Sequence, residues 1–524
     1  MQQTSRDSAP APARVSLERL APVIGAVIVF AVAVWAFRPY PVGIYMDDGV
    51  YTILAKAIAT GHGLRNLHLP GMPFATHFPP GYPLLLAALW RVNPNFPGNV
   101  QLFLLAQAAL LGLTAIGTYA FARRVLAWRP AIALAASLVA TLSLPLMSLG
   151  AVLFSEVLSL AMLLPFLVRA ERLVRDRVSS LDSMLLGVYA GMIGLVRTQV
   201  ALVVPAVCLV LLMRRQWRAV LLFASGALCL LLPWQAWTAA HDAGFQGLLR
   251  GYYGSYGAWL VTGLRTQGIH LVTATLRNNT SEIAGTIADR VAPWSIGRLR
   301  LVPVILAAGA VIFGAFRMWK RAPVTVLFAA AYVALVFVWP FVSWRFIWGV
   351  WPVFLLLGAF GAAEAVKALG STRMPALRAV PMLASAALVL GIVWAESSAY
   401  RTRAWSMLVK QQVGYINPLV QWVSGNTQPG DLLVADDEPL VYLFTGRQAM
   451  PAVPFTAAEY IRARTRPEEA KALEDLLQRY PARYVVTVVP STRDAARTMA
   501  SATAPRLREI QALPNGAAFE VQRQ

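Results

Sequence analysis

The chain has 524 residues, of which 57% are hydrophobic and 14% are charged, and its formal net charge is +21. Soluble globular proteins carry about 25% charged residues, so one large soluble domain and a disordered chain are both excluded. Apolar runs of membrane-spanning length recur from near residue 20 to near residue 395, which predicts an all-α polytopic membrane protein.

The positive charge is concentrated in the predicted membrane part. Residues 1–395 hold 31 Lys and Arg against 12 Asp and Glu, whereas residues 396–524 hold 15 against 13. Arginine collects there in short loops, as orientation signals do, so the net charge does not indicate nucleic-acid binding. Cys208 and Cys229 lie in apolar runs and form neither a disulfide framework nor a metal-ligand spacing.

Apolar segments along the chain predict about eleven transmembrane helices, of which the first is an uncleaved span with a cytoplasmic N-terminus. The segments lie near residues 20–37, 101–121, 131–148, 151–168, 184–196, 199–213, 219–238, 301–316, 323–341, 346–363 and 379–395. The two segments that flank Arg197 are short, and they could form one broken re-entrant pair.

Alternation of the spans places nineteen Lys and Arg on short cytoplasmic segments and roughly a dozen on longer outer ones, as the positive-inside rule requires. The cytoplasmic group is Arg6, Arg14, Arg19, Arg123, Arg124, Arg129, Arg169, Arg172, Arg175, Arg177, Arg214, Arg215, Arg218, Arg317, Lys320, Arg321, Lys367, Arg373 and Arg378. An odd number of spans puts the C-terminal part on the outer side.

The predicted outer parts are large. Loops extend over about 39–99 and 239–297, and residues 396–524 are soluble in composition. The C-terminal part has strand-like runs at 431–435 and 483–489, with charged helical stretches near 456–479 and 492–501. We therefore predict a transmembrane domain over residues 1–395 and a small periplasmic α/β domain over residues 396–524.

Two adjacent carboxylates, Asp47 and Asp48, follow the first span. Adjacent carboxylates repel, which favours a raised pKa on one of them or a nearby cation. One could act as a general base and the other as a ligand, although Asp-Asp-Gly is also good turn chemistry.

Other polar residues sit where a charge needs a partner. Glu156 lies at the outer end of a span within apolar sequence, so it either lines a functional cavity or pairs with an Arg of a neighbouring helix. Arg197 and Arg345 lie near the outer interface, where guanidinium groups bind phosphate oxygens or snorkel to lipid headgroups. His77 could bind substrate, a metal or a loop carbonyl.

Aromatic residues are frequent in the second outer loop. A cluster of four could stack on a sugar ring or lie at the membrane interface, which is the more frequent role. Its members are Tyr252, Tyr253, Tyr256 and Trp259. Metal dependence stays open, because Asp48, Glu156 and His77 could ligate a divalent ion but no spacing demands one.

Several motifs coincide with those of one family. They are Asp47-Asp48-Gly-Val-Tyr51 followed by Lys56 and Gly61, Phe78-Pro-Pro-Gly-Tyr82-Pro-Leu84, Ser155-Glu156, Arg197, Trp344-Arg345-Phe346 and Thr445-Gly446-Arg447. The chain thereby resembles the lipid-dependent glycosyltransferases of the GT-C fold, which include protein mannosyltransferases and the bacterial aminoarabinose transferase. Thr198-Gln199 departs from the family's usual Pro-Glu after the arginine, and of its final prolines only Pro352 remains.

This resemblance implies an activity. A sugar would move, with inversion, from a polyprenyl-phosphate donor to a lipid, glycan or protein acceptor at the periplasmic face of the bacterial inner membrane. Asp47 would be the general base, and Asp48 would be the second catalytic carboxylate. The implied substrate-binding residues are Lys56, His77, Tyr82, Glu156, Arg197 and Arg345. No cofactor would be required.

Two other functions are consistent with a polytopic envelope protein. A transporter or flippase for lipid-linked sugars would carry charged residues near the bilayer midplane and commonly has repeated halves, and neither is seen in the sequence. A relative that has lost catalysis and serves an envelope complex is the second alternative.

Overall fold

The structure is a computed structural model, and it describes residues 17–176, 179–242, 249–294, 297–341, 343–370, 375–453, 455–502 and 506–522. Some predicted features lie outside these residues. They are the N-terminal Arg6 and Arg14, Arg177, Arg373 and the segment 243–248 of the second outer loop.

The N-terminal half is helical, with long helices and several shorter ones. Its elements are α1 (Leu17–Ala36), α2 (Asp47–Ala59), α3 (Gly81–Val92), α4 (Val100–Arg124), α5 (Pro130–Thr141), α6 (Leu144–Gly150), α7 (Glu156–Arg175), α8 (Ser180–Val196) and α9 (Val203–Met213). Helices α2 and α3 lie in the predicted first outer loop. A 55° bend separates α5 from α6, and Pro145 lies in the first turn of α6, where its fixed φ is tolerated.

The second half of the membrane part is helical as well. Its elements are α10 (Trp217–His241), α11 (Arg250–Tyr253), α12 (Tyr256–Gln267), α13 (Ile269–Val291), α14 (Leu301–Met318), α15 (Pro323–Val338), α16 (Ser343–Trp348), α17 (Trp351–Gly370) and α18 (Pro375–Thr402). Helices α11 to α13 form the second outer loop. Gly314 and Gly361 let α14 and α17 approach closely, because a Cβ at Gly361 would meet Ala310 O at 1.9 Å.

Every predicted apolar segment forms a helix, so the all-α membrane architecture is confirmed. Among the described residues, five helices are long and apolar enough to cross a membrane, and the bent pair α5–α6 would make a sixth. Helices α1, α8, α9 and α15 are apolar but shorter, and α7 carries charged residues at both ends. The number of eleven spans therefore stays a prediction.

The C-terminal part contains a five-stranded mixed sheet, which confirms the predicted α/β character. Its elements are α19 (Met407–Asn426), β1 (Leu433–Ala435), α20 (Glu438–Thr445), β2 (Ala449–Pro451), α21 (Ala457–Ile461), α22 (Arg466–Arg479), β3 (Tyr484–Thr487), α23 (Pro490–Ala500), β4 (Leu507–Leu513) and β5 (Gly516–Val521). The strand order is β2-β1-β3-β5-β4, with β1 parallel to β2 and β3, and β5 antiparallel to β3 and β4. Helix α18 continues beyond the predicted boundary at residue 395.

The sheet docks on the first outer loop through backbone hydrogen bonds. Ala449 N donates to His68 O at 2.9 Å, and Gln448 Nε2 donates to Leu67 O at 3.2 Å and to Leu69 O at 3.0 Å. These contacts fix the C-terminal domain above the helix ends where the predicted site residues lie.

Candidate active site

The two adjacent carboxylates point in different directions. Asp48 is fully buried, and it accepts hydrogen bonds from Gly43 N at 2.9 Å and Tyr45 N at 3.1 Å. Burial raises the pKa of Asp48 to about 6, and the backbone hydrogen bonds oppose this rise. Asp47 begins α2 and its side chain is 29% exposed, so it presents the carboxylate that a substrate could reach.

A buried ion-pair network contains three further predicted residues. Arg345 Nη1 lies 2.5 Å from Asp47 Oδ2, and its Nε lies 2.5 Å from Glu156 Oε1. Its Nη2 donates to Glu156 Oε2 at 3.3 Å, so that Arg345 binds Glu156 through both oxygens. Arg197 Nη1 lies 2.9 Å from Glu156 Oε1. The structure therefore brings Asp47, Glu156, Arg197 and Arg345 together as one continuous chain of charges.

Helix ends position this network. Glu156 is the first residue of α7, Arg197 follows the last residue of α8, and Arg345 lies on the short helix α16. Ser155 Oγ accepts from Arg197 Nη1 at 3.1 Å and lies 3.1 Å from the Tyr51 hydroxyl. Because the Phe154 ring lies 3.6 Å from the Arg345 guanidinium carbon, an aromatic face supports one side of this cation.

A cavity of about 280 Å³ opens onto the network. Asp47, His77, Arg197 and Arg345 line it together with mainly aromatic and apolar residues. The others include Tyr45, Met46, Tyr51, Phe78, Pro79, Val196, Tyr252, Tyr256, Phe341, Phe346 and Phe455. A small concave site with apolar walls and a few convergent charges is typical of ligand pockets.

His77 faces the cavity but is already engaged. Its Nδ1 lies 2.7 Å from Gly254 O, and its ring centroid lies 3.9 Å from that of Tyr256. Burial lowers the pKa of His77, so the ring is favoured in its neutral form. It can therefore offer Nε2 to a ligand.

Three predicted substrate-binding residues do not line the cavity: Glu156, which lies behind its two arginine partners, and Tyr82 and Lys56. Tyr82 is fully buried with its ring edge against Tyr51 at 5.0 Å, and its hydroxyl has no hydrogen-bond partner among the described residues. Lys56 lies farther along α2, where its Nζ is 4.7 Å from the Tyr442 ring centroid. None of these side chains is placed to touch a ligand in the cavity.

The second outer loop contributes a wall that the sequence predicted only as one of two options. Tyr252 and Tyr256 line the cavity. Asp242 links the predicted second outer loop to the first one. Its Oδ1 accepts hydrogen bonds from Thr76 Oγ1 at 3.0 Å and from Ser255 N at 2.6 Å.

The C-terminal domain supplies another wall, which sequence reasoning missed. Phe455 lines the cavity and stacks on Trp259 with a centroid distance of 5.6 Å. Nearby, Glu438 accepts a hydrogen bond from the Tyr253 hydroxyl, which also lies 2.9 Å from His68 Nε2. Burial raises the pKa of Glu438 to about 8. No local motif marks Phe455, because its role depends on a contact between distant parts of the chain.

The residues considered as metal ligands do not converge. Asp48 accepts backbone amides, Glu156 is held by two arginines, and His77 bonds a carbonyl. Within the described ranges, no group of three or more His, Cys, Asp and Glu side chains could hold a metal ion.

Comparison of the sequence with protein-family models and with curated proteins gives no match. Solved structures match by fold. ArnT from Cupriavidus metallidurans bound to undecaprenyl phosphate matches with a TM-score of 0.51 at 11% identity, over 96% of this chain and 98% of that chain. AglB from Archaeoglobus fulgidus in complex with an inhibitory peptide and a dolichol-phosphate matches with a TM-score of 0.50 at 12% identity, over 90% of this chain and 69% of that chain.

A further structure of the Archaeoglobus fulgidus oligosaccharyltransferase, in complex with Zn and sulfate, matches with a TM-score of 0.50 at 12% identity, over 89% of this chain and 67% of that chain. Matches at this level of identity show a shared fold. The chain has the GT-C fold of lipid-dependent glycosyltransferases.

Proposed function

We propose that the chain is an integral-membrane glycosyltransferase that moves a sugar from a polyprenyl-phosphate donor to an acceptor at the periplasmic face of the bacterial inner membrane. One observation carries the proposal: the charge chain Asp47–Arg345–Glu156–Arg197 borders a cavity of about 280 Å³ with aromatic walls. A potential base and two phosphate-binding cations therefore meet at one small site.

The two arginines are suited to the phosphate of the donor. Guanidinium groups bind phosphate oxygens bidentately and stay charged at any pH that the protein meets. Both are oriented by Glu156, which is fully buried and balances one of the two positive charges, while Asp47 balances the other. Structures of the same fold that hold undecaprenyl phosphate or a dolichol-phosphate support a lipid-phosphate carrier.

Asp47 is placed to take the acceptor proton. The acceptor oxygen or nitrogen would form a bond to the anomeric carbon while the bond from that carbon to the phosphate oxygen breaks. The electron pair of the broken bond goes to the phosphate, whose charge Arg345 and Arg197 stabilise. The acceptor proton goes to Asp47. Attack opposite the leaving group inverts the anomeric configuration.

The ion pair between Asp47 and Arg345 links donor binding to the availability of the Asp47 carboxylate. A phosphate that contacts Arg345 would compete with Asp47 for Nη1, which now lies 2.5 Å from Asp47 Oδ2. A carboxylate released from its guanidinium partner is free to take the proton of the acceptor. Donor binding would thereby prepare Asp47 for the acceptor.

The remaining residues hold the geometry. Asp48 is a positioning residue, because its carboxylate orders the turn that precedes α2 and thus aims Asp47. The aromatic walls from Tyr252, Tyr256 and Phe455 would exclude water, which matters since water would otherwise hydrolyse the donor. The charges lie at helix ends, which favours a transferase over a transporter with charges near the bilayer midplane.

The test is turnover of purified Asp47→Asn protein with a polyprenyl-phosphate sugar and an acceptor extract. We expect a loss of about 10²–10⁴-fold in turnover, the range for removal of a general base, with donor binding retained. Asp289→Asn is the matched control, because this outer-face aspartate lies on α13 with a 58% exposed side chain. Equal glycolipid or glycoprotein masses in membranes from a deletion strain and its parent would contradict the proposal.

A further inference from the structure

A second, larger cavity lies at the other end of the helix that begins with Glu156. It has a volume of about 1140 Å³ and lies between the end of α4, the end of α7 and the start of α8. Four arginines line it: Arg124, Arg169, Arg172 and Arg175. Helix α7 has 20 residues, so its two ends are separated by about 30 Å, the thickness of a bilayer core.

The positive charge of this cavity is only partly compensated. Asp176 lies 3.6 Å from Arg172 Nε and 3.7 Å from Arg175 Nε. Asp182, the other acidic residue of the lining, accepts from Ser179 Oγ at 2.8 Å. Arg124 and Arg169 have no carboxylate within ion-pair distance in the parts of the chain that the structure describes.

Other arginines on the same predicted face are engaged differently. Arg317 pairs with Glu364 at 3.0 Å, Arg214 donates to Val174 O at 2.6 Å, and Arg123 donates to Trp128 O at 2.5 Å. Orientation of the spans requires positive charge on this face but does not require four arginines around one cavity. In contrast to these three, Arg124 and Arg169 show no side-chain hydrogen bond or ion pair among the described residues.

Apart from Ser179 and Tyr189, the rest of the lining is apolar. Val125, Val168, Leu173, Leu185 and Leu186 lie beside the arginines, and Leu185 is 55% exposed. A free anion would gain little from such a wall, whereas a lipid would place its phosphate at the arginines and its chains along the leucines. Basic pockets between membrane helices on the cytoplasmic side bind anionic headgroups in this way.

We propose that this cavity binds the phosphate headgroup of an anionic phospholipid in the leaflet opposite the active site. The guanidinium groups of Arg124 and Arg169 contact the phosphate oxygens, and Arg172 and Arg175 add positive charge at the rim. The bound lipid holds together the ends of α4, α7 and α8. The site is independent of the proposed glycosyl transfer.

The experiment is native mass spectrometry of the delipidated full-length protein with phosphatidylglycerol or phosphatidylcholine of equal acyl chains. The wild type is expected to retain phosphatidylglycerol preferentially. Arg169→Gln/Arg172→Gln removes two charges and should weaken that retention by about 30-fold. Arg169→Lys/Arg172→Lys keeps the charge and should recover part of it.

Arg218→Gln is the matched control, because it removes an exposed arginine on the same predicted face but outside the cavity. It should retain the lipid as the wild type does. Unchanged retention by the double glutamine variant overturns the proposal. Displacement of the lipid by inorganic phosphate at equal concentration also overturns it, since it would indicate a site for a free anion. If the double variant does not purify as a monodisperse protein, Arg169→Gln alone should show a loss of about fivefold.

Discussion

The two ends of α7 use the same residue type in opposite ways. At the active-site end, Arg197 and Arg345 have side chains 8% and 15% exposed and share the carboxylates of Glu156 and Asp47. At the other end, Arg172 and Arg175 are 78% and 59% exposed and share Asp176. Burial decides the consequence: a buried charge must be paired, whereas an exposed one remains available to the membrane.

The largest effect should come from breaking the buried end. Glu156→Gln leaves Arg345 with Asp47 as its carboxylate partner and leaves Arg197 with none among the described residues. We expect the free energy of unfolding to fall by about 3–5 kcal/mol, as when one partner of a buried ion pair is removed. Denaturation of the purified protein in mixed micelles measures this change.

Glu364→Gln is the comparison variant. Glu364 lies on α17, on the predicted face opposite the candidate active site. Glu364 pairs with Arg317 and Lys367, whose side chains are 49% and 73% exposed. Solvent screens such pairs, so the expected loss is below about 1 kcal/mol. Equal losses in the free energy of unfolding for Glu156→Gln and Glu364→Gln would show that burial does not determine the cost of breaking these ion pairs.

The second prediction concerns the adjacent aspartates. In the wild type, Gly43 N and Tyr45 N donate to the two carboxylate oxygens of Asp48. Asp48→Asn keeps one of these acceptors and removes the other. The loss of one buried hydrogen bond should lower the free energy of unfolding by about 1–3 kcal/mol. Asp47→Asn should show the opposite balance, with the larger loss in turnover and the smaller loss in stability. Parallel turnover and unfolding measurements on both variants check this crossing pattern.

A pH series distinguishes two buried glutamates on the same predicted side of the membrane. Glu156 has two arginine partners, whereas Glu438 bonds the Tyr253 hydroxyl, and burial raises the pKa of Glu438 from 4.5 to about 8. The folded protein therefore keeps a proton that the unfolded chain has released. The stability from this group is complete below about pH 4.5 and is lost as the pH rises through about 8.

Glu438→Gln should remove this pH dependence, because the amide mimics the protonated acid. Between pH 5 and pH 9, the melting temperature of the wild type should fall more steeply than that of Glu438→Gln. Most of the stability from the protonated Glu438 is lost within this range. A common slope for the two proteins would mean that Glu438 is ionised in the folded state.

The smallest effect is expected at Lys56. Its ammonium group lies 4.7 Å from the Tyr442 ring and outside the cavity lining. Lys56→Met should leave turnover within about twofold and lower the free energy of unfolding by no more than about 1 kcal/mol, the value of an exposed cation–π contact. A selective rise in KM for the donor would return Lys56 to the substrate-binding residues.

Sequence reasoning succeeded where the signal was local. Each predicted apolar run contains a helix, and the strand-like runs at 431–435 and 483–489 correspond to β1 and β3. The strand β2 was missed because Ala449–Pro451 is three residues long and ends in proline, and β4 was missed because its residues are mostly exposed. Such strands are defined by their neighbours in the sheet rather than by their own pattern.

The candidate site was predicted to a similar extent. Asp47, Glu156, Arg197 and Arg345 stood out because charges in apolar sequence need partners, and the structure brings them together. Lys56 and Tyr82 were predicted to bind substrate from a family motif alone. Their side chains contact Tyr442 and Tyr51 and do not line the cavity. The wall from Phe455 depends on how the tail docks, which no local spacing reveals.

That wall has a consequence for biosynthesis. Phe455 comes late in the chain, behind all of the membrane helices and after β2, so the aromatic enclosure stays incomplete until translation has passed the first half of the tail. A nascent protein already inserted in the bilayer would have its charged residues assembled but its chamber open to water. Productive transfer would then begin only after the tail has folded onto the first outer loop.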